Sequence, residues 1–455
     1  MVAQLTPEAV RPDAEPDRDE QWHPLVRVLF RFGFVCVGIG MAAVWLVHAL
    51  LRSFGVPQEM VTELGRWTAL HPLTDWVGRQ FFDVRVDYTP TGSGDTATHW
   101  VSLFTLLLVS AVVTLVWSVL DRRRRGYPRL YAWFRLLLRA TLVSALLLYG
   151  MMKLLPSQMS FNLERLVQPF GEMSPMAVLW AQTSLSEPYE IALGAAEVVA
   201  GLLLVLPVSA GLGSILSVIV ALQVFLLNLT FDVPVKIFSF QLLAYATILA
   251  APDIHRIVKA LTGRALPVRR PEPLLTTARG TRILLVAQVV FGVWLLITTF
   301  LECHDAWRTH GTARPQSPFY GIWNVTEYTV ADQQLPPLVD YTEAPSSSVL
   351  GANDRFRRII FDIPIGITVQ RMNDALTSFP ARIDTDRQII TISKDLAHQY
   401  PIAMFGYQQP QPNRLILTGQ VAGRPVRMQL DQVDLDRYPV VSRGFNWVQP
   451  APYFK

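Results

Sequence analysis

The sequence predicts a mainly α-helical membrane protein of about seven transmembrane helices, followed by a small extracytoplasmic antiparallel β domain. Three observations predict it. Of 455 residues, 51% are hydrophobic and only 17% charged, whereas a soluble domain carries roughly a quarter charged residues. Apolar runs long enough to cross a bilayer recur over about the first two thirds of the chain. Beyond them the pattern changes to short β-branched runs separated by turn residues.

The formal charge of +4 is modest. Its placement in loops matters more than its sum, so it reads as an orientation signal and not as a nucleic-acid footprint. Two cysteines, Cys36 and Cys303, are too few for a disulfide framework, and no CxxC or CxxCH spacing exists. Those facts exclude a protein-ligated iron–sulfur cluster and a covalently attached haem.

Residues 1–26 are charged and proline-bearing, without a cleavable signal pattern, and read as a disordered cytoplasmic leader. Residues 27–129 hold the first two spans. The first covers Val28 to Leu51, with Arg27 and Arg31 expected to snorkel to the interface. A long outer loop over 52–99 carries Trp67, Trp76, Phe81 and Phe82, as suits a loop folded against the membrane surface. It ends in the polar turn Thr91-Gly-Ser-Gly-Asp-Thr96, where Asp95 reads as a cap on the second span, His99 to Leu120, or as a group closing a vestibule. Arg122 to Arg125 and Arg129 form the strongest positive-inside signal, with an anionic-lipid contact as a further reading.

Residues 130–262 read as a four-helix bundle with short connections. Its third span, Leu130 to Leu155, contains Arg135 and Arg139, which must snorkel or find partners. An outer loop to Pro188 holds the apolar stretch Met176 to Trp180, too brief to cross. The fourth span, Tyr189 to Val208, turns into a fifth ending near Asn228, and a corner over Thr230 to Val235 leads to the sixth, Lys236 to Ala251. Residues 263–302 continue a second basic loop (Arg256, Lys259, Arg264, Arg269, Arg270) and carry the seventh span, Ile283 to Leu301. Seven crossings put the N-terminus in the cytoplasm and residues 303–455 outside, in agreement with both basic loops. In that tail Arg358 to Ile363, Gln388 to Ile392 and Arg414 to Thr418 read as strands. Leu415 to Leu430 reads as a hairpin through Ala422-Gly-Arg424, so the domain is a closed barrel or a sandwich.

Function is sought where ionisable and amide side chains interrupt the apolar runs, because a charge in hydrocarbon must be paired or hydrated. Tyr149 and Lys153 share a helix face. Glu190, Gly194, Glu197 and Gly201 make a stripe on the fourth helix, in which small residues admit a close neighbour. With Gln158, Asn228, Asp232, Lys236 and Asp95 these groups can line one outward vestibule. One reading is structural: the lysines pair with Glu190, Glu197 or Asp232 and hold the bundle. The sharper reading is a pocket for a quinone head group or a small polar molecule. There Lys153 orients the ligand, Tyr149 donates a hydrogen bond and Glu197 handles a proton. A transport pathway is a third reading, without the inverted repeat that transporters commonly show. His48 with His99, and Cys303-His304 with His310, are isolated histidine groups of a kind more often structural than metal-binding, and no metal site is assigned.

The block from Tyr149-Gly-Met-Met-Lys153 through Tyr189-Glu190, the glycine-rich fourth span, and Asn228 to Lys236 with Ala251-Pro-Asp253 resembles the DoxX-like family of bacterial membrane proteins, over roughly residues 130–262. The turn Thr91 to Thr96 and the ending Arg443-Gly-Phe-Asn-Trp447 look like a longer DoxX-related subgroup with an extracytoplasmic tail. The resemblance implies a bacterial inner-membrane protein. In some relatives it implies a subunit linked to thiosulfate oxidation with quinone as acceptor, or to an oxidative-stress membrane complex, hence a redox or periplasmic protein partner. The rival expectation is a non-catalytic scaffold whose β domain binds that partner while the helices anchor it in the bilayer.

Overall fold

The computed structural model describes residues 22–68, 70–264, 274–335, 355–397, 399–421 and 423–454. Nearly all of the expected leader, Arg269, Arg270 and Ala422 lie outside them. Contacts divide the chain into two compact units, Met1–Leu148 with Glu197–Thr299, and Tyr149–Ala196 with Phe300–Lys455.

Among the described residues seven helices are long and apolar enough to cross a membrane: Pro24–Ser53, Ala97–Leu120, Pro128–Leu154, Glu187–Val205, Ala210–Thr230, Lys236–Leu261 and Ala278–Thr309. Even the shortest, at 19 residues, is about 28 Å long at 1.5 Å per residue, close to the ~30 Å hydrocarbon thickness. Helix also fills the loop between the first two spans, as Gln58–Thr68 and His71–Val77. The apolar stretch after the third span is the ten-residue helix Pro175–Ser184, capped by Ser174, whose hydroxyl accepts from the Ala177 N–H.

One sequence expectation is corrected in the first unit. Arg31 was expected to snorkel, yet it is 3% exposed. It donates to the Tyr127 hydroxyl at 2.9 Å, Ser118 Oγ at 2.9 Å and the Asp121 carbonyl at 3.0 Å. A guanidinium has five donors in a fixed fork, so three placed acceptors replace the water that snorkelling would have reached. Burial, and the Asp121 carboxylate to which it donates, raise the Tyr127 phenol above its ordinary pKa. The sixth span was expected over Lys236 to Ala251, and the helix that carries it runs on through Pro252 to Leu261. Proline removes one backbone donor, the one that would reach the Ile248 carbonyl, and one residue further on Arg135 donates to the Leu249 carbonyl at 3.0 Å. Arg139 likewise donates to Val205 O at 3.1 Å, at the fourth helix's last residue, and to Gln288 Oε1.

In the second unit the tail forms an antiparallel sheet ordered β2-β1-β3-β4-β5-β6-β7-β8-β9, which closes because β1 also pairs with β9. The strands are β1 Gly321–Val330, β2 Gln333–Gln334, β3 Phe356–Phe361, β4 Gly366–Arg371, β5 Leu376–Asp384, β6 Ile389–Ser393, β7 Pro401–Gln411, β8 Arg414–Val421 and β9 Arg424–Gln432. Of the two architectures expected, the result is the closed one: an eight-stranded up-and-down barrel, with β2 a short extension. Strand β1 serves both neighbours, with Gly321–Asn324 facing β3 and Trp323–Val330 facing β9 across a shift at Val325/Glu327. Closure removes the exposed edges on which open sheets aggregate. Inward positions alternate along β8 and β9, as in Leu415, Leu417, Val426, Met428 and Leu430, and the interior is packed with Trp323, Tyr328, Phe361 and Phe405.

The loop between the third and fourth spans is bonded to this barrel. Leu163 packs on Ile322, Ile360 and Val433, and its N–H donates to Asp362 Oδ2 at 3.1 Å. Gln370 donates to the Val167 carbonyl at 3.0 Å. Trp323→Ala removes a fully buried ring and is expected to cost about 3–5 kcal/mol. Gly419→Ala places a methyl against the Met404 carbonyl of the facing strand. Both variants are expected to lower the midpoint of the barrel's transition, followed by near-ultraviolet circular dichroism of the full chain in detergent. An unchanged midpoint in both would contradict the packed, closed barrel.

Candidate functional site

The nine site residues proposed from the sequence divide between the two units. In the second unit Tyr149, Lys153, Gln158 and Glu190 lie where the third helix, its following loop and the start of the fourth helix meet. Gly194 makes the meeting possible: a Cβ there would run into the Leu154 N–H and the Gly150 carbonyl, so only glycine lets the two helices close to backbone contact. Glu190 stands one turn before that crossing, and Lys153 stands within it.

Both are buried, Lys153 at 6% and Glu190 at 1% exposure. The Lys153 ammonium folds back to donate to the Tyr149 carbonyl at 3.3 Å, and its charge acts on the Glu190 carboxylate. The Met159 N–H lies beside the Glu190 carboxylate. The Trp180 indole donates to the Gln158 carbonyl at 3.2 Å, pinning the same loop from the short helix beyond it. Two side-chain acceptors are left over: Glu190 Oε1 and Gln158 Oε1 are buried and have no hydrogen-bond partner among the described residues. A buried acceptor without a donor costs about 1–3 kcal/mol. The junction therefore buries a cation and two acceptors that have no hydrogen-bond donor among the described residues. Sequence reasoning missed the Met159 amide and Trp180, since a backbone donor carries no side-chain signal and Trp180 read only as part of a short apolar stretch.

In the first unit Asp95, Asp232 and Lys236 gather at the start of the sixth helix. Here the sequence reading of Asp95 is corrected in its target. Thr96 caps the second helix, while Asp95 accepts from the Lys236 N–H at 2.7 Å and the Ile237 N–H at 3.0 Å, capping the sixth. Lys236 pairs with Asp232 at 2.8 Å and lies 3.9 Å from Asp95. Asn228 is buried and its carbonyl accepts from the Val233 N–H at 3.0 Å, shaping the corner. This group satisfies the structural reading: its charges answer helix ends and each other. Glu197, buried at 4% exposure, also belongs to the first unit, and Gly201 next along its stripe rests on Leu146 and Leu147.

Among the described residues no three histidine, cysteine or acidic side chains are grouped so as to hold a metal ion. His99 Nδ1 bonds Thr96 Oγ1 at 2.7 Å, and His304 lies between the rings of Phe300 and Trp307. One further concavity, of about 330 Å³, lies on the barrel between Glu164 and Asp362, with Ile365, Thr368, Ser378 and Leu396 around it. Its carboxylates are largely engaged, Asp362 by Arg314 at 2.8 Å and by the Leu163 N–H, and Glu164 by the Thr368 hydroxyl at 3.2 Å.

Comparison of the chain with protein-family models, with curated proteins and with solved structures yields no match.

The two carboxylates of the first-unit group are expected to differ in weight. Asp95→Ala leaves two helix-start N–H groups without their acceptor and costs about 1–2 kcal/mol. Asp232 is 80% exposed, so Asp232→Asn is expected to change stability by less than about 0.5 kcal/mol. Thermal unfolding of the two variants side by side checks this, and equal losses would contradict the capping assignment.

Proposed function

We propose that this chain is a DoxX-like inner-membrane protein, a redox-associated component that binds a quinone-type head group or a similarly sized polar molecule at Lys153, Gln158 and Glu190. The observation that carries the reading is the pair of buried acceptors without donors, Glu190 Oε1 and Gln158 Oε1, beside a buried lysine. A head group that carries oxygens able both to accept and to donate complements that set. Lys153 meets a carbonyl oxygen, while Glu190 and Gln158 receive hydroxyl protons when the guest is reduced. Tyr149 stands one turn before Lys153 as a second donor. Glu197, two turns along the helix from Glu190, is the residue assigned to proton transfer. In this reading residues 130–262 are the family's four-helix bundle, the N-terminus is cytoplasmic and the barrel is extracytoplasmic.

A second reading, a scaffold whose barrel docks a periplasmic partner, is favoured by the barrel itself. Its interior is filled by side chains, which leaves the outer surface, with the cleft beside Glu164, for recognition.

The test is to purify the full chain in mild detergent and measure co-extracted quinone by mass spectrometry. Lys153→Met and Glu190→Gln are each expected to reduce bound quinone about tenfold or more, since a hydrogen bond to a charged group is worth roughly 1.5–3 kcal/mol. Quinone retained unchanged in both variants would overturn the site, and its absence from every preparation would favour the scaffold. For orientation, Cys36 and Cys303 are both buried, so a cysteine placed at the exposed Phe445 serves as the probe. It is expected to react with a membrane-impermeant maleimide on intact spheroplasts, and reaction only after permeabilisation would reverse the topology.

A further inference from the structure

We infer that the segment His71–Phe82 is a membrane-inserted element, lodged among lipid acyl chains in the leaflet that receives the N-terminal end of the second span. The segment is a short helix, His71–Val77, continued by a wider π turn, Gly78–Phe82. Its inner face is fixed by packing. Thr74 and Val77 are buried, and Val77 packs on Val86 and on Val101 of the second span. Gly78 passes so near the returning chain that a Cβ there would lie 2.6 Å from the Val84 carbonyl. Asp75 is tied down beside that face, accepting from the Val86 N–H at 3.4 Å, and it pairs with Arg79, whose side chain stays 62% exposed on the polar side of the segment.

Outward, beside the exposed Arg79 and Gln80, stands a group of aromatic rings. Trp76 is 53% exposed, Phe81 61% and Phe82 46%. A patch of this kind marks an interaction surface, and the second span identifies its occupant. Phe82 meets Phe104 edge to face, with ring centroids 5.1 Å apart. Phe104 belongs to a 24-residue helix whose exposed face continues as Leu108, Val112, Leu115 and Val119. The patch is thus an extension of a surface already made for hydrocarbon, and the same solvent covers both.

Helix geometry sets the depth. Twenty-four residues span about 36 Å against a hydrocarbon core of about 30 Å, so a centred helix projects about 3 Å at each end. Phe104 lies seven residues after the helix start, about 10 Å in, and hence about 7 Å below the hydrocarbon boundary. Phe82, in contact with it, sits below that boundary, while Trp76 takes the amphipathic level where indoles collect.

The test uses the full chain reconstituted at one copy per lipid nanodisc, with Cys36→Ala and Cys303→Ala in the background and a nitroxide at one introduced cysteine. Phe81→Cys is compared with Val112→Cys in the middle of the second span and Arg79→Cys on the polar side. The nitroxide at position 81 is expected to collide with oxygen more than with a water-soluble nickel chelate, as at 112 and opposite to 79. Behaviour like that at 79, or shielding from both reagents, which would place protein over the patch, overturns the inference. A second measurement keeps both cysteines. The fluorescence lost in Trp76→Phe is expected to be the part quenched more by lipids brominated high in the acyl chain than by lipids brominated near its end. A lost component that no brominated lipid quenches overturns the inference equally.

Discussion

One carboxylate, Asp362 at the end of β3, organises the second unit. It takes the Leu163 N–H on one oxygen and the Arg314 guanidinium on the other, and Arg314 in turn donates to the Phe161 carbonyl at 2.9 Å. The loop after the third span is thereby held against the barrel and against the connection that leads into it. Thr312 N–H to the Pro156 carbonyl and Ser160 Oγ to the His310 carbonyl, both at 3.0 Å, complete the attachment. Because this loop is held, its Met159 N–H is in place beside Glu190. An ion pair alone is weak evidence for stability, but this one also satisfies backbone groups that a loop packed against a barrel would otherwise bury unpaired.

Most charges set among the helices follow one rule. Arg31, Arg135 and Arg139 each reach backbone carbonyls or neutral side chains, Asp95 reaches two backbone N–H groups, and Lys236 reaches a carboxylate. Each is thus converted from a cost into a fastening between helices. Glu190 departs from the rule, with one oxygen left without a hydrogen-bond partner, although it is among the most buried acids in the chain. Native structures bury few unpaired polar groups; among the described residues Arg27 Nε and Arg355 Nε are also without a hydrogen-bond partner.

The helices were legible in the sequence because hydrocarbon imposes length and composition on every span, and the hairpin of β8 and β9 was legible because alternation and a glycine turn are local. What was not legible depends on distant partners. The sixth helix outlasts Pro252 beside a guanidinium from the third, and Arg31 finds its acceptors about ninety residues away, near the end of the second span. Asp95 looked like a cap for the helix it precedes, and it caps one about 140 residues later. The acidic stripe with its glycines was readable from spacing alone, and Gly194 and Gly201 do receive the third helix. The choice between barrel and sandwich was not readable, because closure rests on the pairing of β1 with β9, about a hundred residues apart.

The loop after the third span has little slack. Met159 and Leu163 are four residues apart, a distance of at most about 14 Å at full stretch, and one lies beside Glu190 while the other is clamped to the barrel wall. Any displacement of the Met159 amide would draw on the same short tether that Asp362 holds, so the start of the fourth helix and the barrel's rim are mechanically joined.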